Sequence, residues 1–289
     1  MSPIALIIAL TSLVGWAFWP TFAFMVDKWI EDPQYSHGFL VPLFSLYLLN
    51  RNKDELKLAM NSRGWPLLGG AVLGLCIAVR GLAGGLLFHQ LDALALLASL
   101  AAIALCLGGW KLLKLAGPAI IFLIFMVPLP YELERNVGGP LRIAATTAST
   151  FILQTIGLPA IAEGNVILID EVKLGVVEAC SGLKMLVTFA AFSVGAALLA
   201  RRSGFEKLMI LLGIVPIALL TNVFRITATG VALTFISNKG TTDFLHDFFG
   251  WLMMPMGLGL LALELRILQR LVIAPRSSMT PSGIRGPQS

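Results

Sequence analysis

Charge is scarce in this chain. Asp, Glu, Lys and Arg make up 13% of its 289 residues, against about 25% in an ordinary soluble domain. With 57% apolar residues and a mean hydropathy of +0.86, this excludes a soluble globular protein and points to an integral membrane protein. Cysteine and histidine are nearly absent too, at three residues each. The three histidines are scattered, no His-Glu-x-x-His pattern occurs, and no second Cys falls at the outer level, so neither a metal nor a cofactor is expected. There is no internal repeat. No Lys or Arg precedes the first apolar run and no Ala-x-Ala cleavage site follows it, so Ile4 to Met25 is expected to be a retained helix and not a signal peptide. The formal charge of +5 comes without the basic stripe interleaved with aromatics that nucleic acid requires. Nucleic acid is therefore not an expected partner, and membrane lipid is.

What is abundant is apolar sequence in long runs. Runs able, or nearly able, to span a bilayer fall at about 4–25, 37–50, 65–80, 91–109, 115–130, 181–200, 207–227 and 247–271. The expected fold class is all-α integral membrane, a polytopic bundle of about eight transmembrane helices. Charge gives the orientation. Arg51, Lys53, Lys57, Arg63, Lys111, Lys114, Arg201, Arg202, Lys207, Arg266, Arg270, Arg276 and Arg285 all fall on one side of this arrangement. The other side holds Asp27, Glu31, Asp32, Glu132, Glu134, Asp170, Glu171, Glu178, Asp243 and Asp247. The positive-inside rule then makes both termini cytoplasmic. The expected organisation is one membrane-embedded domain over 1–275, with an extracytoplasmic segment at 131–179, and a disordered cytoplasmic tail over 276–289, rich in Ser, Pro and Gly.

Within 131–179, Leu141 to Ile156 mixes Thr and Ser with apolar residues and reads as a surface helix, closed by Pro159. Asn165 to Ile169, a turn at Asp170-Glu171 and Val172 to Val177 read as a small β-hairpin. A hairpin this small is marginal alone and must pack on the bundle.

That hairpin leads into Glu178-Ala179-Cys180-Ser181-Gly182-Leu183, where a thiol, a hydroxyl and a carboxylate stand at the start of a membrane helix. Helical rise sets the depth of the polar residues around it. Arg201 back to Cys180 spans roughly 31 Å, Lys207 out to Arg225 roughly 27 Å, and Arg266 back to His246 roughly 30 Å. Each matches a hydrocarbon core of about 30 Å. Cys180, Arg225 and His246 are thus expected at one level, the outer membrane–water boundary, on three successive helices.

Each residue has a plain reading beside a chemical one. Cys180 is either a small packing residue at a helix start or a thiol activated by the helix N-terminus. It stands in a compartment where thiols normally pair, and Cys76 and Cys106 lie at other depths as packing residues, out of its reach. Arg225 either snorkels to the surface or is a fixed cation for a carboxylate or developing oxyanion. Asn222, one turn away on the same face, is placed to orient a neighbour. His246 is either a solvated interfacial residue or the general base facing a thiol. His37, at the same outer level, is its rival, and His89 at a loop end is weaker. Glu178 is the end of a strand or a group that orients Arg225 or His246.

Taken in order, Ala179-Cys180-Ser181-Gly182-Leu183, Asn222-Val223-Phe224-Arg225-Ile226, and His246 before a last membrane helix resemble the exosortase/archaeosortase family. Ser36-His37-Gly38 ahead of the second run, and Val127-Pro128-Leu129-Pro130 ending the fifth, add to the resemblance, which covers roughly 35–275. It implies a membrane cysteine protease or transpeptidase of the inner membrane of Gram-negative envelopes, with its active site facing the periplasm. Its partners would be proteins carrying a C-terminal sorting signal of PEP-CTERM type: a short motif, a membrane helix and a basic tail. The family's Cys, Arg and His map onto Cys180, Arg225 and His246, with no cofactor. The chain lacks the large extra soluble domain that some relatives carry.

Two other readings compete with this one. A non-enzymatic component of polysaccharide or envelope assembly would string polar residues along a path through the membrane, whereas the candidates here cluster at one face. A lipid-dependent acyltransferase would also use a thioester.

Overall fold

The computed structural model describes residues 3–86, 89–170, 172–175, 182–200, 202–235 and 239–271; Glu178 and Cys180 lie outside them, and of His246 only the backbone is described. The first apolar run is not one helix. Helix α1 (Pro3–Ala17) and helix α2 (Trp19–Glu31) meet at Phe18, with a bend of 69° between residues 8–17 and 19–31. Pro20 lacks the N–H that would bond the Trp16 carbonyl, so a straight helix loses a rung there. Buried Phe18 packs into the resulting elbow. A 3-10 segment (Pro33–Phe39) then leads into α3 (Leu40–Arg51), α4 (Lys53–Met60) and α5 (Pro66–Leu86).

Helix α6 (His89–Phe122), extended by a 3-10 turn to Met126, is assigned as one element, but Gly109 within it has φ 60° and ψ −153°. The chain doubles back at that residue. Thr21 of α2 donates to the Asp92 carboxylate, and Trp29, two turns further along the same helix, donates from Nε1 to the Met126 carbonyl at 2.9 Å. Both contacts are made from one 13-residue helix, whereas a straight helix from 92 to 126 would separate them by about 51 Å. The 89–108 arm packs antiparallel to α5, with the Trp65 N–H on the Leu105 carbonyl and Arg80 on Asp92. The second arm packs on α3, where Ser45 donates to the Ala119 carbonyl at 2.8 Å. Only glycine suits the turn. A β-carbon at 109 would lie 2.6 Å from the Arg63 carbonyl oxygen, and its φ lies in the left-handed region that disfavours side chains. Each arm of about 17–20 residues is some 25–30 Å long, close to a bilayer core.

Helix α7 (Tyr131–Thr155) starts ten residues before the surface helix expected from the sequence and runs through Pro140. Its Ala145, Thr146, Ser149 and Leu153 are fully buried. After it comes a three-stranded antiparallel sheet, β1 (Ala160–Glu163), β2 (Val166–Ile169) and β3 (Val172–Gly175), in that order. The expected hairpin is its β2–β3 half, with Ile169 opposite Val172; β1 is an additional strand. Asp170 takes the positive φ of 51° at the turn. Then follow α8 (Gly182–Leu199), α9 (Gly204–Leu212), α10 (Ile214–Phe235) and α11 (Lys239–Leu271).

By length and composition three described segments can cross a membrane, 89–126, 204–235 and 248–271, or four if the bent α1–α2 pair is counted; the helical parts of α5 and α8 that qualify as apolar are shorter. The fold is therefore a helical membrane bundle with a small sheet. The reversal at Gly109 divides the first segment into two arms.

One end of the bundle is basic. The Arg63 carbonyl abuts Gly109, two residues before Lys111. Arg51 donates to the Leu199 carbonyl at 3.4 Å, and Arg202 to the Leu265 carbonyl at 3.4 Å while pairing with Glu206 at 3.1 Å. Ser203 and Glu206 form a capping box that starts α9 there, satisfying orphan N–H groups at the helix entry.

Candidate active site

The site is built on α10. Its residues 218, 222, 225 and 229 recur at helical spacing, and there Asn222, Arg225 and Thr229 are buried with Ala218. Arg225 is only 4% exposed, so it does not snorkel; its guanidinium is enclosed by neighbouring helices. Ser149 of α7 donates to the Val223 carbonyl at 3.3 Å. Above it, Gly230 lets Leu153 and the sheet's Ile169 approach within 3.1–3.3 Å of where a β-carbon would stand. The sheet thus rests on the half of α10 that continues beyond Arg225.

Helix α11 supplies the other wall. A β-carbon at Gly250 would lie 3.5 Å from Nη2 of Arg225 and 3.7 Å from its Cζ, so the guanidinium lies flat against this glycine. Position 246 is one turn earlier on α11 and shares the Gly250 face. The structure therefore brings the Arg225 side chain and the helix face of position 246 together. Helix α8, which begins two residues after Cys180, enters beside α7: Leu183 is near Gly138, whose carbonyl accepts from Arg142 Nε at 3.3 Å. Asn222 is 2% exposed, and its Oδ1 has no hydrogen-bond partner among the described residues. A buried carbonyl oxygen left in this state costs about 1–3 kcal/mol.

His37 is placed differently. It is 3% exposed, in the 3-10 segment before α3. Its Nε2 is 3.1 Å from the Phe125 carbonyl, which only accepts, so Nε2 carries a proton; Nδ1 is hydrogen-bonded with Thr188 Oγ1 at 3.0 Å. Both ring nitrogens tie three elements together. His89 stacks on Phe24 with centroids 4.0 Å apart. Cys76 is buried in the core of the first helices, and Cys106 packs against α5 near Pro66, in keeping with their reading as packing residues. Among the described residues no group of His, Cys, Asp and Glu forms a metal cluster.

Sequence reading missed the ion pair of Arg80 and Asp92, 2.8 Å apart between α5 and α6. Arg80 also lies 4.6 Å from the Phe18 ring centroid, a cation–π geometry. Opposite charges near the two facing ends of adjacent apolar runs were the available signal. It also missed Thr188 and Gly250, which carry no chemical signature of their own.

A helical membrane bundle with a buried arginine between two helices defines a membrane protein with an enclosed polar site. The family follows from comparison: residues 29–263 match the model of the transmembrane exosortases, and the chain belongs to that family. No curated protein and no solved structure matches it.

Proposed function

We propose that this exosortase-family protein is a thiol-dependent peptidase or transpeptidase that cleaves a C-terminal sorting signal just outside the inner membrane. The observation that carries the reading is Arg225, a buried cation laid against Gly250, one turn from the helix face of His246. Around it the reading places eight membrane crossings within a single domain over 1–275. Both termini are cytoplasmic, and 131–179 and the active site face the periplasm.

In the mechanism Cys180, as thiolate, attacks the carbonyl carbon of the scissile peptide. The carbon–sulfur bond forms, and the tetrahedral oxyanion is stabilised by the Arg225 guanidinium. The carbon–nitrogen bond then breaks, and the leaving amine takes the proton that His246 accepted from the thiol. Water or an acceptor amine attacks the acyl-thioester and restores the thiol, giving hydrolysis or transfer respectively. Glu178 orients Arg225 or His246. The bundle holds the substrate's own membrane helix, which sets the scissile bond at the level of Cys180.

The test is incubation of the purified protein with a labelled sorting-signal peptide containing its membrane helix. Cleavage with a trapped Cys180 thioester, lost in Cys180→Ala and nearly lost in Cys180→Ser, is expected. Glu178→Gln lowers turnover without affecting membrane insertion. Undiminished cleavage by Cys180→Ala would reject the reading.

A further inference from the structure

Away from this site, the second arm of α6 and the C-terminal half of α8 enclose an apolar cavity of about 610 Å³. The volume lies within the roughly 300–1,000 Å³ typical of small-molecule sites and is too small to seat a whole membrane helix. Its floor is open because Gly117 has no side chain; a β-carbon there would meet nothing within 4 Å. Ile121, 70% exposed, lines it from the surface side, and Val194 and Leu198 line it from α8. Such a cleft opens toward lipid.

Lys114 is the one charged residue of the lining. Lys111 stands one turn away and is likewise exposed, and Trp110 forms the rim at 63% exposure. These three residues follow the Gly109 turn at the basic end of the bundle, the placement of an aromatic and cationic interface belt. From Lys114 to Phe125, the far lining residue on this arm, the helix rises about 16 Å. That is one half of a bilayer core of about 30 Å, so the cleft is one leaflet deep with its charge at the headgroup level.

We propose that this cleft is a binding site for an anionic phospholipid of the leaflet at the basic end, its acyl chain over Gly117 and its phosphate on Lys114 and Lys111. Charge decides between the two occupants a membrane offers. A sorting-signal helix would bring its own basic tail to the same lysines, a like-charge pairing, whereas an anionic headgroup is complementary to them. The inference does not rest on the peptidase reading.

The experiment reconstitutes the full chain in bilayers carrying trace phosphatidylglycerol or phosphatidylcholine with a photoreactive diazirine in the acyl chain. Adducts are mapped by mass spectrometry. Expected are adducts on the peptides containing Gly117–Ile121 and Val194–Leu198, about 25-fold more from phosphatidylglycerol. Lys111→Gln with Lys114→Gln should lower that yield toward the phosphatidylcholine level, at roughly five-fold per lysine. Gly117→Leu should abolish labelling by both lipids at these peptides and leave labelling elsewhere unchanged. Equal labelling by the two lipids, or no response to the lysine pair, reduces the cleft to annular lipid contact and overturns the proposal. Displacement of the adducts by a sorting-signal helix, with no preference for phosphatidylglycerol, gives the cleft to the substrate and also overturns it.

Discussion

Thr188 Oγ1 and His37 Nδ1 lie 3.0 Å apart, joining the segment before α3 to the helix that begins just after Cys180. With Nε2 on the Phe125 carbonyl, the ring is a three-way tie. His37→Ala should therefore destabilise the protein by about 1–3 kcal/mol, the cost of orphaned buried partners. Thermal unfolding in detergent will read the loss, and cleavage per folded molecule should stay near the parent value. An unchanged melting temperature together with abolished cleavage would return His37 to the role of base, in place of His246.

Arg225 and Gly250 give a graded test of the site. Arg225→Lys cannot reproduce the planar guanidinium and should lower the cleavage rate by about 10²–10³, the range for loss of an oxyanion donor. Gly250→Ala places a methyl at ordinary contact, 3.5 Å from Nη2, and should be tolerated. Gly250→Ile should displace the guanidinium and approach the Arg225→Lys phenotype. Uncleaved substrate in membranes at matched expression is the measurement; equal activity in Gly250→Ile would show that the contact does not set the geometry.

The Arg80–Asp92 pair is a partly buried ion pair. Asp92→Ala leaves the Arg80 cation uncompensated between α5 and α6 and should lower stability, by less than the about 3–5 kcal/mol of a fully buried pair. Replacing both residues by Leu should recover much of that loss. A double-mutant cycle on unfolding free energy measures the coupling, and additive costs would show that the pair contributes nothing.

Topology is open to labelling. With the native cysteines replaced, a Cys at position 170 should react with an impermeant thiol reagent in intact spheroplasts, and a Cys at 57 should be protected. The reversed pattern would invert the bundle.

Gly109→Val should fail to fold stably, since the left-handed φ and the Arg63 carbonyl both oppose a side chain. A strained non-glycine residue in such a region costs about 1–3 kcal/mol before any clash. Normal yield and melting temperature would show that the turn adapts.

Much of this fold was legible from hydropathy and charge. The runs at 65–80 and 181–200 became α5 and α8, and Arg51, Arg63, Lys111 and Arg202 mark one end of the bundle. The runs at 91–109 and 115–130 fall on the two arms of α6, because Lys111 and Lys114 interrupt its hydropathy where Gly109 turns the chain. The break at Phe18 was not legible, since hydropathy runs through Pro20 uninterrupted. Strand β1 was missed because three of its four residues are exposed and give no period-2 pattern. Arg225 was singled out by its type and expected depth, but its burial is a tertiary fact that Gly250 makes possible. Nothing in the sequence around His37 announced Thr188 as its partner, 151 positions away. Cys180 and Glu178 rest on the motif alone.

The single-residue reversal at Gly109 also bears on how the protein is made. With no loop between its arms, the 89–126 hairpin has no stretch of chain long enough to wait in water while one arm is already in lipid. On the proposed topology its two arms should enter the bilayer together during synthesis, with Lys111 and Lys114 kept on the cytoplasmic side. An insertion of a few polar residues after Gly109 would uncouple the arms, and the first sign of damage would be a shortfall of integrated protein, ahead of any loss of catalysis.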